Sequence, residues 1–274
     1  MILNTIAESS KIRVKEFKKE VPLNELKNSI YQNGEIKKFN EREDFAFEKS
    51  LRKKEISFIC EVKKASPSKG IIAEDFPYLK IAKEYEESGV SAISVLTEPE
   101  YFKGKNEHLT EISNTVKIPV LRKDFTVDEY QIYESKIIGA DAVLLICSLL
   151  DKNTIKKYIE ICDELGLSAL VEAHTKQEIE CAIESKARVI GVNNRNLKTF
   201  EVDINNSIKL RKLVSKDIIF VAESGIKTPE DIKELRKANV DAVLIGETLM
   251  RSENKKEMLN SLRGDNFVVC NGQN

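Results

Sequence analysis

The chain has 274 residues, of which 41% are hydrophobic and 32% charged, a globular composition with enough length for a sizeable core. Lys and Arg number 44 against 45 Asp and Glu, a formal net charge of -1, so no global field draws the chain onto nucleic acid or an acidic membrane. The longest apolar run, Ala142–Cys147, is far too short to span a bilayer.

The opening segment MILNTIAESSKIRVKEF lacks a basic region followed by an apolar core, so no secretory leader is expected and the cytoplasm is the expected compartment. Ile2–Lys19 reads as a charged amphipathic helix, and Pro22 can open a second helix over Leu23–Tyr31. With the Lys/Glu-rich run that follows, residues 1–56 form a helical extension expected to pack on the rest. Five cysteines (Cys60, Cys147, Cys162, Cys181, Cys270) form an odd set without a C-x-x-C pair, and His108 and His174 are the two histidines. Disulfides and a metal site are therefore not expected.

From Ser57 onward, apolar runs alternate with amphipathic ones. SFICEV, SAISVL, IPVLRK and DAVLLI are followed by LSALVE, RVIGVN, IIFVAE and DAVLIG. These eight runs are rich in Val and Ile and mostly lack polar alternation, which predicts parallel strands covered on both faces. Between them, Leu79–Ser88 and Asp151–Leu165 carry helical spacing, and Thr228-Pro229 reads as an N-cap with Pro at the first helical position. ESGVSAISVL, IIGADAVLLI, ELGLSALVEA and KANVDAVLIG repeat one pattern, in which Gly89, Gly139, Gly166 and Asn239 suit a left-handed helix cap ahead of a strand. Eight such units predict a closed α/β (β/α)8 barrel over 57–263. A doubly wound open sheet would carry a glycine-rich turn after its first strand, and no G-x-G-x-x-G occurs. The whole of 1–274 is expected to be a single domain, with a tail over 264–274 that shows no legible pattern.

Barrel chemistry sits at the C-terminal ends of the strands. The first run, SFICEVKKASPSKG, ends a buried-looking strand in charges, which a fold carries only where a counter-charge, water or a ligand meets them. Alternation sorts them by face. Glu61 and Lys63 share one face, as do Leu121, Lys123 and Phe125, then Leu170 and Glu172, then Gly191, Asn193 and Arg195. Four strands thus send charged or amide groups to one mouth. Lys64, Arg122 and Asp124, of the other parity, are expected to pair with outer helices, and His174 is read as a loop hydrogen-bonder. The seventh strand ends in Glu223, Ser224 and Gly225, and the eighth in Gly246 and Glu247. Their glycines, just ahead of helices, make an expected anion cradle, and hence a phosphorylated small-molecule ligand.

The stretches EVKKASPSKG, SVLTEPEYFKG, PVLRKDFTVDEYQI, ALVEAH, GVNNRNL, AESGI and LIGETLM, with the N-terminal MILNTIAESSKIRVKEFK, carry a resemblance over Met1 to about Arg263. In order and spacing they resemble the indole-3-glycerol phosphate synthase family of tryptophan biosynthesis, with Cys60 in place of the expected alanine. The resemblance implies a carboxy-lyase that closes 1-(2-carboxyphenylamino)-1-deoxyribulose 5-phosphate to indole-3-glycerol phosphate, losing CO2 and water without metal or cofactor. It implies Lys123 as general acid, its pKa expected to be lowered by burial and other cations, with Glu172 and Glu61 dividing the later proton transfers. It further implies that Asn193 orients Glu172 and that Lys63 and Ser66 hold substrate anions. Phe125 would pack on the aromatic ring, and Arg195 would set the site's charge. Ser224, Gly225, Leu244, Gly246 and Glu247 complete the substrate-binding set, and the N-terminal extension forms part of a lid. Transient contact with other enzymes of that pathway is a further expectation. Two rivals stand beside this reading: a phosphoribosylanthranilate isomerase-like phosphosugar isomerase, which would want a Cys or Asp acid/base pair, and a non-catalytic phosphate-ligand barrel.

Overall fold

All eight apolar runs become strands. In the computed structural model, which describes residues 2–32, 34–196 and 199–264, these are β1 (Ser57–Val62), β2 (Ala92–Leu96), β3 (Val120–Lys123) and β4 (Ala142–Ile146). They continue with β5 (Ser168–Ala173), β6 (Val189–Asn193), β7 (Ile219–Glu223) and β8 (Ala242–Ile245). Every neighbouring pair is parallel, and β8 pairs with β1 to close the ring. The tail beyond Gly264, including Cys270, lies outside the described residues.

Closure follows from local grammar repeated down the chain. Gly89, Gly139, Gly166 and Asn239 all take positive φ, 71°, 86°, 67° and 59°, just after a helix, so each turns the chain into the next strand as the repeat predicts. The helix Pro229–Lys237 starts with a full capping box, in which the Thr228 hydroxyl accepts from the Asp231 amide and the Asp231 carboxylate accepts from the Thr228 amide. Parity divides the core in two. Ile59, Leu121, Leu144, Leu170, Val221 and Leu244 fill the barrel interior, whereas Cys60, Val62, Val143, Val171, Val192 and Phe220 pack against the surrounding helices.

Before the barrel come α1 (Ile2–Glu20), α2 (Leu23–Ile30) and α3 (Ala46–Leu51), closely matching the two helices read from sequence and adding a third. The buried positions of α1, Leu3, Ile6, Ala7, Ser10 and Val14, recur every three or four residues, as an amphipathic helix laid on a surface requires. Leu3, Phe47 and Leu51 belong to the interior cluster of the barrel. Polar ties hold α1 in place: Lys18 pairs with Asp128 at 2.7 Å, and Ser9 donates to Glu100 at 2.6 Å.

At the N-terminal end of the strands, the segment between α2 and α3 is anchored by one arginine. Arg42 Nε donates to Asp141 Oδ2 at 2.7 Å, and the remaining guanidinium hydrogens reach the carbonyls of Ser113, Val116 and Gly139. Asp141 also accepts from the Val120 amide, so one carboxylate ties the extension to two strands. Arg42→Ala would leave a buried carboxylate without its counter-charge. Breaking such a pair costs about 3–5 kcal/mol, and urea unfolding at neutral pH should show a loss of that size. A loss below ~1 kcal/mol would mean that the pair does not hold the segment.

Candidate active site

The strand ends meet over the interior apolar layers in a cavity of about 600 Å³, within the range of small-molecule sites. Every site residue expected from sequence lines it: Glu61, Lys63, Ser66, Lys123, Phe125 and Glu172 around one part of the rim, and Asn193, Arg195, Ser224, Gly225, Leu244, Gly246 and Glu247 around the rest. For Glu61, Lys63, Lys123, Phe125, Glu172, Asn193 and Arg195 this follows the alternation rule, because β1, β3, β5 and β6 each turn the same parity inward.

The ammonium of Lys123 lies at the centre of a charged cluster. Its Nζ is 3.4 Å from Glu172 Oε2 and 3.4 Å from Glu223 Oε2. Glu172 and Glu223 are nearly inaccessible to solvent. Lys63 pairs with Glu61 beside them. The expectation that burial and neighbouring cations would lower the Lys123 pKa is corrected. Burial does pull it down, but the carboxylates of Glu223, Glu172 and Glu61 outweigh burial and raise it. Lys123 therefore favours the ammonium in the resting site.

The carboxyls beside it divide one proton unequally. Burial, reinforced by the charges of Glu172 and Glu61 and opposed by Lys123, pushes the Glu223 carboxyl up to about 8. Glu172 is buried too, but Lys123, His174 and a hydrogen bond from Asn193 bring its pKa below the usual carboxylate value. Near neutrality Glu223 carries the proton and Glu172 the charge. Glu223 is the member that the sequence reading listed as a strand end and did not place in the site. Its signal was the same parity rule, since Val221 and Glu223 share the inward face of β7.

His174 also exceeds its expected role. It does bond within its loop, with Nδ1 3.4 Å from Glu178 Oε2, but its Nε2 also stands 3.6 Å from Glu172 Oε1. Burial lowers the imidazole pKa, yet these carboxylates outweigh it and raise the value, favouring imidazolium beside Glu172. Residues of the other parity behave largely as expected. Arg122 is buried against the helix Tyr130–Ile137, 2.6 Å from Glu134 and 3.1 Å from the Gln131 carbonyl. Asp124 pairs with Arg13 of α1 at 2.9 Å and accepts from Thr97 at 2.8 Å.

The cavity has two characters. Leu3 and Ile6 of α1, Phe102, Phe125, Leu144 and Ile146 make an apolar wall, with the Phe102 and Phe125 rings 6.1 Å apart. The N-terminal extension reaches this wall through the first turns of α1. Opposite, Ser224 and Gly225 take consecutive positive φ, 67° and 84°, which turns the backbone after β7 sharply at the rim. Lys69, Arg195 and Arg251 gather around Glu247 at 3.6, 4.0 and 3.2 Å, leaving this end rich in cations. Lys69 and Arg251 were not expected from sequence, because both lie outside strands, where alternation gives no face.

Cys60, the cysteine a rival isomerase would need, is fully buried in the outer core, behind the strand and away from the cavity. Among the described residues, no group of three or more His, Cys, Asp or Glu side chains is placed to hold a metal ion. No helix among them is long and apolar enough to cross a membrane.

Comparison with known proteins bears on the family. The sequence model of one family, indole-3-glycerol phosphate synthase, matches residues 3–262. The indole-3-glycerol phosphate synthase of Ruminiclostridium cellulolyticum is 59% identical over 264 residues, covering 96% of this chain and 99% of that one. That of Lachnoclostridium phytofermentans is 53% identical over 268 residues, with 96% and 99% covered. Among solved structures, a 3-hexulose-6-phosphate synthase superposes with a TM-score of 0.62 at 15% identity, covering 76% of this chain and 99% of that one, a likeness of fold alone. The chain belongs to the indole-3-glycerol phosphate synthase family.

Proposed function

We propose that the chain closes the indole ring of 1-(2-carboxyphenylamino)-1-deoxyribulose 5-phosphate, releasing CO2 and water and forming indole-3-glycerol phosphate. The observation that carries the mechanism is Lys123, held 3.4 Å from two buried carboxyls at the mouth of the barrel. Ring closure requires an aromatic carbon to attack a ketone, and the oxygen must receive a proton as the bond forms. Lys123 is the donor. Having given its proton, the neutral amine sits among acidic groups that favour the ammonium, so it is reloaded at once. Glu223, protonated near neutrality and within reach, is the nearest source.

Loss of CO2 restores the aromatic ring, and departure of the hydroxyl as water needs a second acid and a base. Glu172, ionised and steadied by Asn193, is the base. Glu61, paired with Lys63, is the further carboxylate of the dehydration. The carboxyphenyl ring lies on the apolar wall formed by Phe125, Leu144 and the first turns of α1. Lys63 and Ser66 hold the substrate carboxylate. The phosphate takes the opposite rim, where the turns at Ser224, Gly225 and Gly246 meet Lys69, Arg195 and Arg251. The reading includes a phosphorylated small molecule as partner and a cytoplasmic setting, with transient contact to enzymes acting before or after it.

Incubation of purified protein with this substrate should produce indole fluorescence, unchanged by a chelator. A signal that never appears, or one that the chelator abolishes, counts against the mechanism. Lys123→Ala and Glu172→Gln should each lower kcat by at least ~10²-fold, the usual size of a general acid or base contribution. Lys123→Ala, which leaves Glu172 and Glu223 without their shared cation, should also lower the melting temperature. Undiminished turnover in either variant removes that residue from the scheme.

The proton on Glu223 predicts a pH dependence of stability. Its folded pKa of about 8 lies above the roughly 4.3 of an unfolded glutamate. The folded state therefore binds the extra proton between those values, and the stability it contributes is lost as pH rises through 8. Glu223→Gln cannot ionise, so its melting temperature should gain on the parent's as pH is raised from about 5 to about 9. A difference that stays constant across that range would mean that Glu223 is already ionised in the folded protein.

A further inference from the structure

Gly191 is the middle residue of β6, between Val192 and Ile190, which face the helices, and its own position faces the barrel interior. Glycine weakens a strand interior and usually marks a place where something must approach closely. Backbone conformation does not explain it, because Gly191 is not among the positive-φ residues of the chain. Its register does. Gly191 pairs with Glu172 on β5, and the next inward pair on its other side is Asn193 with Glu223. It lies at the base of the gap between the two carboxyls that flank Lys123.

That gap is filled by Glu223. A β-carbon built on Gly191 would fall 2.2 Å from Glu223 Oε1 and 3.3 Å from its Cδ, with Leu170 Cδ1 next at 3.1 Å. Oε1 is the oxygen that finds no hydrogen-bond donor among the described residues, while Oε2 faces Lys123. A carboxyl with one oxygen on the lysine and the other laid over a bare Cα occupies the space of a missing side chain. The same device recurs across the barrel, where a β-carbon on Gly246 would fall 2.3 Å from Glu61 Oε1.

We propose that Gly191 is a positioning residue for proton transfer: the volume it leaves empty lets the Glu223 carboxyl fold down beside Lys123, and a methyl there would push that carboxyl off the lysine. The proposal rests on the reading of Glu223 and Lys123 as proton carriers. Because the obstructing atom is the end of a side chain and not backbone, the displacement falls on the Lys123 contact and not on the fold.

The test is a cycle of Gly191→Ala and Glu223→Asp, with kcat, KM and melting temperature measured for all four proteins. Gly191→Ala in the parent should lower kcat by about 10²-fold, the cost of misplacing a reacting group by ~1 Å, with KM within about twofold. Aspartate, one methylene shorter, draws the carboxyl back from the added methyl. In the Glu223→Asp background the same alanine should therefore cost less than about threefold. Normal kcat in Gly191→Ala, or an equal loss in both backgrounds, would overturn the proposal. Should Gly191→Ala fail to fold, recovery of folding in the double variant supports the overlap with Glu223, and continued failure overturns it. Full activity in Glu223→Gln would instead remove Glu223 from the mechanism, a failure of the underlying reading that the cycle separates from a failure at Gly191.

Discussion

The site depends on charge balance in a space that water scarcely reaches. Lys123 and Lys63 face the carboxyls of Glu61, Glu172 and Glu223, two cations against three acids. Isolated ions at such depth would each cost several kcal/mol, and the attraction between partners repays that cost only when geometry and proton number both fit. Holding one proton on Glu223 brings the count level. His174 stands between Glu172 and Glu178, and these carboxylates raise its pKa and favour the imidazolium. The cluster is thus an internally paired unit whose extra proton, on Glu223, stands beside the lysine that is the donor in the proposed mechanism.

The rest of the barrel maintains the conditions this balance needs. Beneath the cluster, interior leucines, isoleucines and valines exclude water from below. Above it, the first turns of α1 bring Leu3 and Ile6 over the cavity, and Arg13 fastens the same helix to Asp124, next in sequence to Lys123. A low local dielectric strengthens each pairing and makes each unpaired group more costly, so the covering helix and the charges support one another. An ammonium whose pKa is raised is a weaker acid in solution terms. On the proposed mechanism its proton passes to an oxygen developing negative charge at close range, where preorganised charge lowers the cost of transfer.

Along the strand ends, charge is sorted by parity into two tasks. On β3, Lys123 turns inward to the cavity while Arg122, its neighbour, turns outward and ties the strand to a helix through Glu134 and the Gln131 carbonyl. At the opposite end of the strands, Arg42 and Asp141 do for the extension what Arg122 does for the helix layer. Both arginine side chains are almost fully buried, and each meets a carboxylate together with several neutral oxygens. These are main-chain carbonyls for Arg42, and the Gln131 carbonyl with the Ser135 and Thr97 hydroxyls for Arg122. Multiple hydrogen bonds are what make a buried ion pair tolerable.

The amino-acid order by itself determined the eight strands, the helix caps at Gly89, Gly139, Gly166, Asn239 and Thr228, and the inward face on which Glu61, Lys63, Lys123, Glu172 and Asn193 stand. Each of these follows from local periodicity or backbone preference, which a one-dimensional pattern records directly. Closure of the ring was legible only as a count of repeats. What tertiary structure alone decided was the set of distances across the mouth. The sequence offered burial and cations as reasons for a lowered Lys123 pKa. Only the fold revealed that three carboxyls surround the ammonium and reverse the direction. Glu223 had the right parity, but its weight comes from standing 3.4 Å from a lysine one hundred residues earlier in the chain. Lys69 and Arg251 come to the cation-rich rim from segments without alternation, and Gly191 acquires its meaning from a side chain on the neighbouring strand. Electrostatic energy and excluded volume depend on separation in space, and separation along the chain does not encode it.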